Sequence, residues 1–162
     1  GDVAMDCAST AKLLGAEVAI WYRRTIGEAP ANMAEIQYVT ELGVPMTNNF
    51  APKEIVGNAK GEVEYMVFSG REGHLDGAEA KVTADTVVFA IGQAPEDVAG
   101  IAPVKVNEKG GIVVENNCVT NIDGVFACGD ITNGGKTVVE AVAAGKVAAF
   151  EIASYLEAKE GK

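Results

Sequence analysis

Aromatic residues make up only 6% of the 162-residue chain, so its core must be built from Val, Ile, Leu and Ala. Histidine is nearly absent: His74 stands alone in a polar, glycine-flanked stretch, which excludes a histidine cluster. The three cysteines, Cys7, Cys118 and Cys128, form neither a CxxC nor a metal-ligand spacing. An odd count at wide gaps fits a reducing compartment and argues against a disulfide framework. No apolar run approaches the roughly 18 residues of a membrane span, and no signal-peptide pattern is present. Positive charge is also scarce, with 13 Lys and Arg against 23 Asp and Glu, a net charge of −10. Such a chain is expected to bind neither nucleic acid nor an anionic membrane. The expectation is a soluble cytoplasmic protein.

Glycine is what the chain has in excess: 19 of 162 residues, about 12%, against roughly 7% in average proteins. That surplus predicts tight turns and places of close backbone approach. The 48% apolar and 22% charged residues exclude a disordered or collagen-like chain. The length suits one domain or parts of two.

Small and apolar residues from Val3 to Leu14 predict a helix, with Gly15 just past its C-terminus. Residues 17 to 22 (EVAIWY) are apolar almost throughout, as a parallel strand covered on both faces would be. An α/β domain normally supplies a strand before such a glycine–helix start, so the chain is expected to be a fragment. A second helix is predicted from about Asn32 to Leu42, with Asn32 and Glu35 as a capping box and Gly43 as its stop. Residues 44 to 50 suit a short strand carrying Asn48 and Asn49. Residues 51 to 67 are β-rich, with a turn at GNAKGE, and residues 69 to 81 form a polar hairpin or loop. Residues 85 to 91 predict another continuous apolar strand. Beyond an irregular stretch to Val106, short strands are expected at IVVE after Gly110–Gly111 and at VFACGD. The longest helix is predicted over residues 137 to 156, opened by a Thr137–Glu140 capping box. The natural boundary lies near Ile91 to Pro95.

Three patterns carry chemistry. Gly1 and Ala4 match the latter part of G-x-G-x-x-A, whose backbone N–H groups and helix dipole receive a dinucleotide phosphate, although ordinary turn grammar explains them equally. Where the fingerprint expects an acidic residue for a free ribose hydroxyl, the strand ends in Arg23 and Arg24. A guanidinium pair there suits a 2′-phosphate, and taken alone it also suits a solvated turn. Gly92, in AIGQAP, lets a nucleotide or a neighbouring backbone cross a strand end, or simply marks a turn. Asp130, after Gly129, is placed to accept hydrogen bonds from hydroxyls or to make an Asx-turn. The Thr137-capped helix offers free N–H groups to an electron-rich heteroatom.

Together, GDVAMDCASTAKLLGAEVAIWYRR, GEAPA, FAIGQAP and GVFACGD with TVVEAVAAGKVAA resemble the FAD- and NADPH-binding region of the glutamate synthase small (beta) subunit. This is part of the pyridine nucleotide-disulfide oxidoreductase superfamily. Related modules occur in dihydropyrimidine dehydrogenase and in NADH-dependent ferredoxin:NADP oxidoreductase. The resemblance spans essentially the whole chain.

The resemblance implies an α/β fold: a doubly wound, parallel-sheet, Rossmann-like NAD(P)-binding domain with a partial FAD-binding domain. Residues 1–91 would be the NAD(P)H-binding domain without its first strand, and residues 92–162 the C-terminal part of the FAD domain. Gly1, Asp2 and Val3 would start the helix at the dinucleotide, Arg23 and Arg24 would take the 2′-phosphate of NADP, and Ile91 and Gly92 would lie near nicotinamide. Gly129 and Asp130 would hold the FAD ribityl, with Thr137 and Val138 beside the flavin pyrimidine ring. Hydride would pass from NADPH to FAD and electrons onward to iron–sulfur clusters, a large catalytic subunit or a ferredoxin-like partner. No residue presents itself as acid, base or nucleophile, because the cofactors carry the chemistry. The glycine-rich turn for the flavin pyrophosphate and the cysteine-rich cluster region are not among these 162 residues. The remainder of the FAD domain is therefore an expected partner, and the isolated chain is expected to hold FAD poorly. The alternative is a truncated, inactive domain that serves only in packing or subunit interaction.

Overall fold

The computed structural model describes residues 1–71, 75–96, 100 and 103–161; His74 lies outside them. The described chain divides into two compact units, Gly1–Gly92 and Gln93–Lys162.

In the first unit, helix α1 (Asp2–Leu13) ends as its sequence predicts. Gly15 adopts a left-handed φ of 92°. Its N–H bonds the carbonyl of Lys12 and the next N–H, of Ala16, bonds that of Ala11, closing the last turn. Helix α2 (Met33–Glu41) stops in the same way, with Gly43 N–H on Thr40 and Val44 N–H on Val39. The N-terminus of α2 departs from the expected capping box. Asn32 does accept a hydrogen bond from the Ala34 N–H, but its own N–H donates to the Asp2 carboxylate at 2.7 Å. A residue 30 positions away thus supplies what Glu35 was expected to supply.

The strand expected over residues 17–22 is paired only at β1 (Ile20–Trp21), which runs parallel to β2 (Met46–Thr47) in the register Ile20↔Met46. Between them, α1 and α2 bury one face: Met5, Ala8, Ile36, Val39 and Val44 form the core, with Val18 and Ile20 packed against it. The β-rich middle is an antiparallel sheet in the order β3 (Phe50–Gly57), β4 (Val63–Gly70), β5 (Glu79–Thr83). Asn58 closes the β3–β4 turn by accepting hydrogen bonds from the N–H groups of Lys60 and Glu62. Lys53 is bulged out of register after Pro52, which has no N–H to give the ladder, and pairs with Glu79. Trp21 stacks on Phe68 at 4.2 Å between ring centroids and meets Phe50 edge-on at 5.4 Å.

The strand expected over residues 85–91 is not in a ladder. Residues 86–90 have no regular structure, and Val88, Phe89 and Ile91 are largely exposed. An apolar run becomes a parallel strand only where neighbours pair with its edges, and none among the described residues does.

In the second unit, IVVE and VFACGD form no full strands but three isolated bridges, Val106↔Ile112, Glu115↔Val119 and Val119↔Phe126. Side chains do much of the backbone bonding there. Asn107 accepts from the N–H groups of Lys109 and Gly111, and the buried Thr120 hydroxyl donates to the Val125 carbonyl at 2.8 Å. With so many local acceptors, short segments satisfy their amides without a ladder. Helix α3 (Asp130–Asn133) follows, and then α4 (Val138–Glu160), which runs four residues past its predicted end and stops at the left-handed Gly161. Ala148 is the buried contact of α4, and Tyr155 meets Phe126 edge-on.

The Thr137–Glu140 box is present in both directions: Glu140 N–H donates to Thr137 Oγ1 at 3.2 Å, and Thr137 N–H donates to the Glu140 carboxylate at 3.1 Å. Thr137→Ala is expected to lower the stability of this unit by about 0.5–2 kcal/mol, measured by urea unfolding followed by circular dichroism. An unchanged midpoint would show that α4 needs no cap.

Candidate functional site

The residues nominated from sequence fall into two groups, one in each unit, with Ile91 and Gly92 at the end of the first unit. In that unit, Gly1 is the N-cap of α1 and brings no side chain to the helix end; Asp2 and Val3 begin the first turn. No hydrogen bond among the described residues occupies the N–H groups of Asp2 and Val3. Asp2 itself holds Asn32 and so works as a tie between the starts of α1 and α2.

Arg23 and Arg24 follow β1 and are exposed. Their loop is held at several points. The Tyr22 N–H donates to the Thr47 carbonyl at 2.8 Å and its hydroxyl to the Glu28 carbonyl at 3.0 Å. The Arg24 carbonyl accepts from the Asn49 N–H at 3.1 Å. The Glu28 carboxylate accepts from both the hydroxyl and the N–H of Thr25. Those bonds, with a smaller contribution from the Arg24 charge, hold its carboxyl below the ordinary carboxylate range. Neither arginine is in an ion pair within 4.0 Å among the described residues. The same loop runs on to Pro30, whose ring would lie 3.8 Å from a Cβ placed on Gly1. The segment that follows the arginines thus reaches the bare start of α1 at Pro30.

In the second unit, Gly129 is buried with φ 74° and ψ −149°, a conformation open essentially only to glycine, and it caps α3. Asp130 is exposed, and one carboxylate oxygen accepts from the Lys136 N–H at 3.3 Å. Asp130, Thr137 and Val138 line one depression of about 350 Å³ with Lys136, Ala141 and Val142. Sequence reasoning passed over Lys136, although it directly precedes the capping box; its ammonium pairs with Glu140 at 3.4 Å. A larger depression, about 450 Å³, lies along residues 119–126 and includes none of the nominated residues.

Among the described residues there is no cluster able to hold a metal, and no helix is long and apolar enough to cross a membrane. Cys7, Cys118 and Cys128 are all free thiols. Burial of Cys118 pushes its thiol up, away from the reactive thiolate.

Residues 1–145 match the family model described as pyridine nucleotide-disulphide oxidoreductase. The chain is 36% identical over 157 residues to a ferredoxin–NADP reductase of Ignicoccus hospitalis, covering 96% of this chain and 49% of that protein. It is 34% identical over 174 residues to the glutamate synthase (NADPH) small chain of Azospirillum brasilense, covering 98% and 36%. With the NAD-dependent dihydropyrimidine dehydrogenase subunit PreT of Escherichia coli K12, identity is 38% over 160 residues, covering 97% and 35%. The chain thus spans between about a third and a half of the length of these relatives. Among solved structures, thioredoxin reductase of T. acidophilum superposes with a TM-score of 0.75 at 27% identity, over 88% of this chain and 45% of the other. Thioredoxin reductase of Lactococcus lactis superposes at 0.83 and 24% identity, over 96% and 50%, a likeness of fold.

Proposed function

Because the chain belongs to the pyridine nucleotide-disulphide oxidoreductase family, we propose that it is the nucleotide-binding part of an FAD-dependent NADPH oxidoreductase. The observation that carries this reading is the exposed Arg23–Arg24 pair at the carboxyl end of β1, in the same compact unit as the uncapped start of α1. A ligand meeting both carries a pyrophosphate for the helix N–H groups and a further phosphate for the two guanidiniums, which describes NADP.

The residues present fit each cofactor in part. The first unit, residues 1–91 by the sequence division, is the NAD(P)H-binding domain. In it Gly1, Asp2 and Val3 receive the pyrophosphate at the α1 start, and Arg23 and Arg24 hold the 2′-phosphate. Ile91 and the left-handed Gly92, at φ 92°, lie at the nicotinamide end. Residues 92–162 supply one side of the flavin site. Asp130 accepts from the ribityl hydroxyls, and the α4 start at Thr137 and Val138 faces the pyrimidine ring. Gly129 must be glycine so that the backbone can deliver Asp130 to that position. When bound, the cofactors supply hydride transfer from nicotinamide to flavin; this chain's residues bind and orient them.

In the longer protein, electrons would continue to iron–sulfur clusters or to a partner subunit, in the manner of a glutamate synthase small subunit. The free thiols suit a reducing, cytoplasmic setting.

The test is a titration of the chain with NADP⁺ and with NAD⁺, read from the fluorescence of Trp21, its single tryptophan, two residues before Arg23. NADP⁺ is expected to bind at least about tenfold more tightly, because each charge-assisted hydrogen bond to the extra phosphate contributes roughly one to two decades. Equal affinities, or no response to either, would overturn the reading.

A further inference from the structure

One residue braces the arginine loop from both sides. Before the pair, the Tyr22 hydroxyl donates to the Glu28 carbonyl at 3.0 Å. After it, the Glu28 carboxylate oxygen Oε2 accepts from the Thr25 hydroxyl at 2.8 Å and from the Thr25 N–H at 3.1 Å. The Glu28 N–H returns a bond to the Thr25 carbonyl at 3.1 Å and closes the 3₁₀ turn Ile26–Glu28. Arg23 and Arg24 lie between the two ties.

Neither guanidinium forms an ion pair within 4.0 Å among the described residues, so the main chain sets where the pair projects. Glu28 is the acid whose charge interacts with Arg24. Its carboxylate is nevertheless bound to Thr25, which leaves the guanidinium to another anion. A loop that must be ordered as a ligand arrives loses affinity, and long side chains such as arginine add to that cost. A loop already closed by its own hydrogen bonds avoids part of it.

We propose that Glu28 is a positioning residue that holds the Arg23–Arg24 loop ready for a 2′-phosphate and so sets how strongly the chain prefers NADP⁺ to NAD⁺. The proposal rests on the first unit being the NADP-binding one. The role needs an acceptor oxygen on the side chain and does not need its negative charge. The amide oxygen of a glutamine can accept both Thr25 hydrogens, whereas an alanine methyl can accept neither.

The native chain, Glu28→Ala and Glu28→Gln are each titrated with NADP⁺ and NAD⁺ by Trp21 fluorescence, and the preference is the ratio of the two affinities. Glu28→Ala is expected to lower that ratio by about three- to tenfold, the scale of ordering one long side chain, with the loss falling on NADP⁺. Glu28→Gln should keep at least the native ratio, because the bonds to Thr25 survive. A merely structural role would weaken both nucleotides alike and leave the ratio where it was. If the native chain prefers NADP⁺ but Glu28→Ala keeps the native ratio, or Glu28→Gln loses as much as Glu28→Ala, the inference falls while the NADP reading stands. If the native chain shows no preference, both fall.

Discussion

Replacing Arg23 and Arg24 together by glutamine is expected to lower the affinity of the chain for NADP⁺ by about two to four orders of magnitude and to leave NAD⁺ within about threefold. The arithmetic is that of charged hydrogen bonds: roughly 1.5–3 kcal/mol for each guanidinium removed, with about 1.4 kcal/mol per decade. The exposed position of the pair does not contradict so large an effect, since the partner is a dianion that brings its own charge. The loop itself should survive the substitution, because it is held by Tyr22, Thr25, Glu28 and the Arg24 carbonyl and by neither guanidinium. Titration of both nucleotides by Trp21 fluorescence decides it. Matching losses for the two would mean that the arginines steer ligands generally and do not grip a 2′-phosphate.

Met5→Ala is expected to destabilise the first unit by about 2–5 kcal/mol, the range for emptying a well-packed site. Met5 is 2% exposed and sits among Ala8, Ile36, Val39 and Val44. That core is small, so its loss matters in proportion. It is also what fixes α1 against α2, and with them the tie between Asp2 and Asn32 at the starts of the two helices. Urea unfolding followed through Trp21 reads this unit alone, since the second unit has no tryptophan. A change under about 1 kcal/mol would place the stabilising contacts elsewhere, in the Trp21–Phe50–Phe68 cluster of the sheet.

The candidate site was visible in the sequence where one short segment contains the whole chemistry. Arg23 and Arg24 are adjacent, Gly129 and Asp130 are adjacent, and Thr137 opens a helix three residues before its capping glutamate. Lys136 gave no such signal, since a lysine before a helix is ordinary. Only the fold of residues 130–138 puts it in the same depression as Asp130.

The same division runs through the fold. By itself, the sequence determined the three long helices, the stops of two and the start of the third: Gly15 and Gly43 stop α1 and α2, and the Thr137–Glu140 box starts α4. Those choices are made by hydrogen bonds spanning three to five residues, so the information is local. It could not determine which apolar runs become strands. Residues 17–22 and 85–91 look alike, yet only the first finds a partner, and there only at Ile20 and Trp21. Nor could it foresee that Asn32 would be held by Asp2. A ladder, or a bond across 30 residues, depends on which distant segments the packed core brings together, and that was decided only in three dimensions.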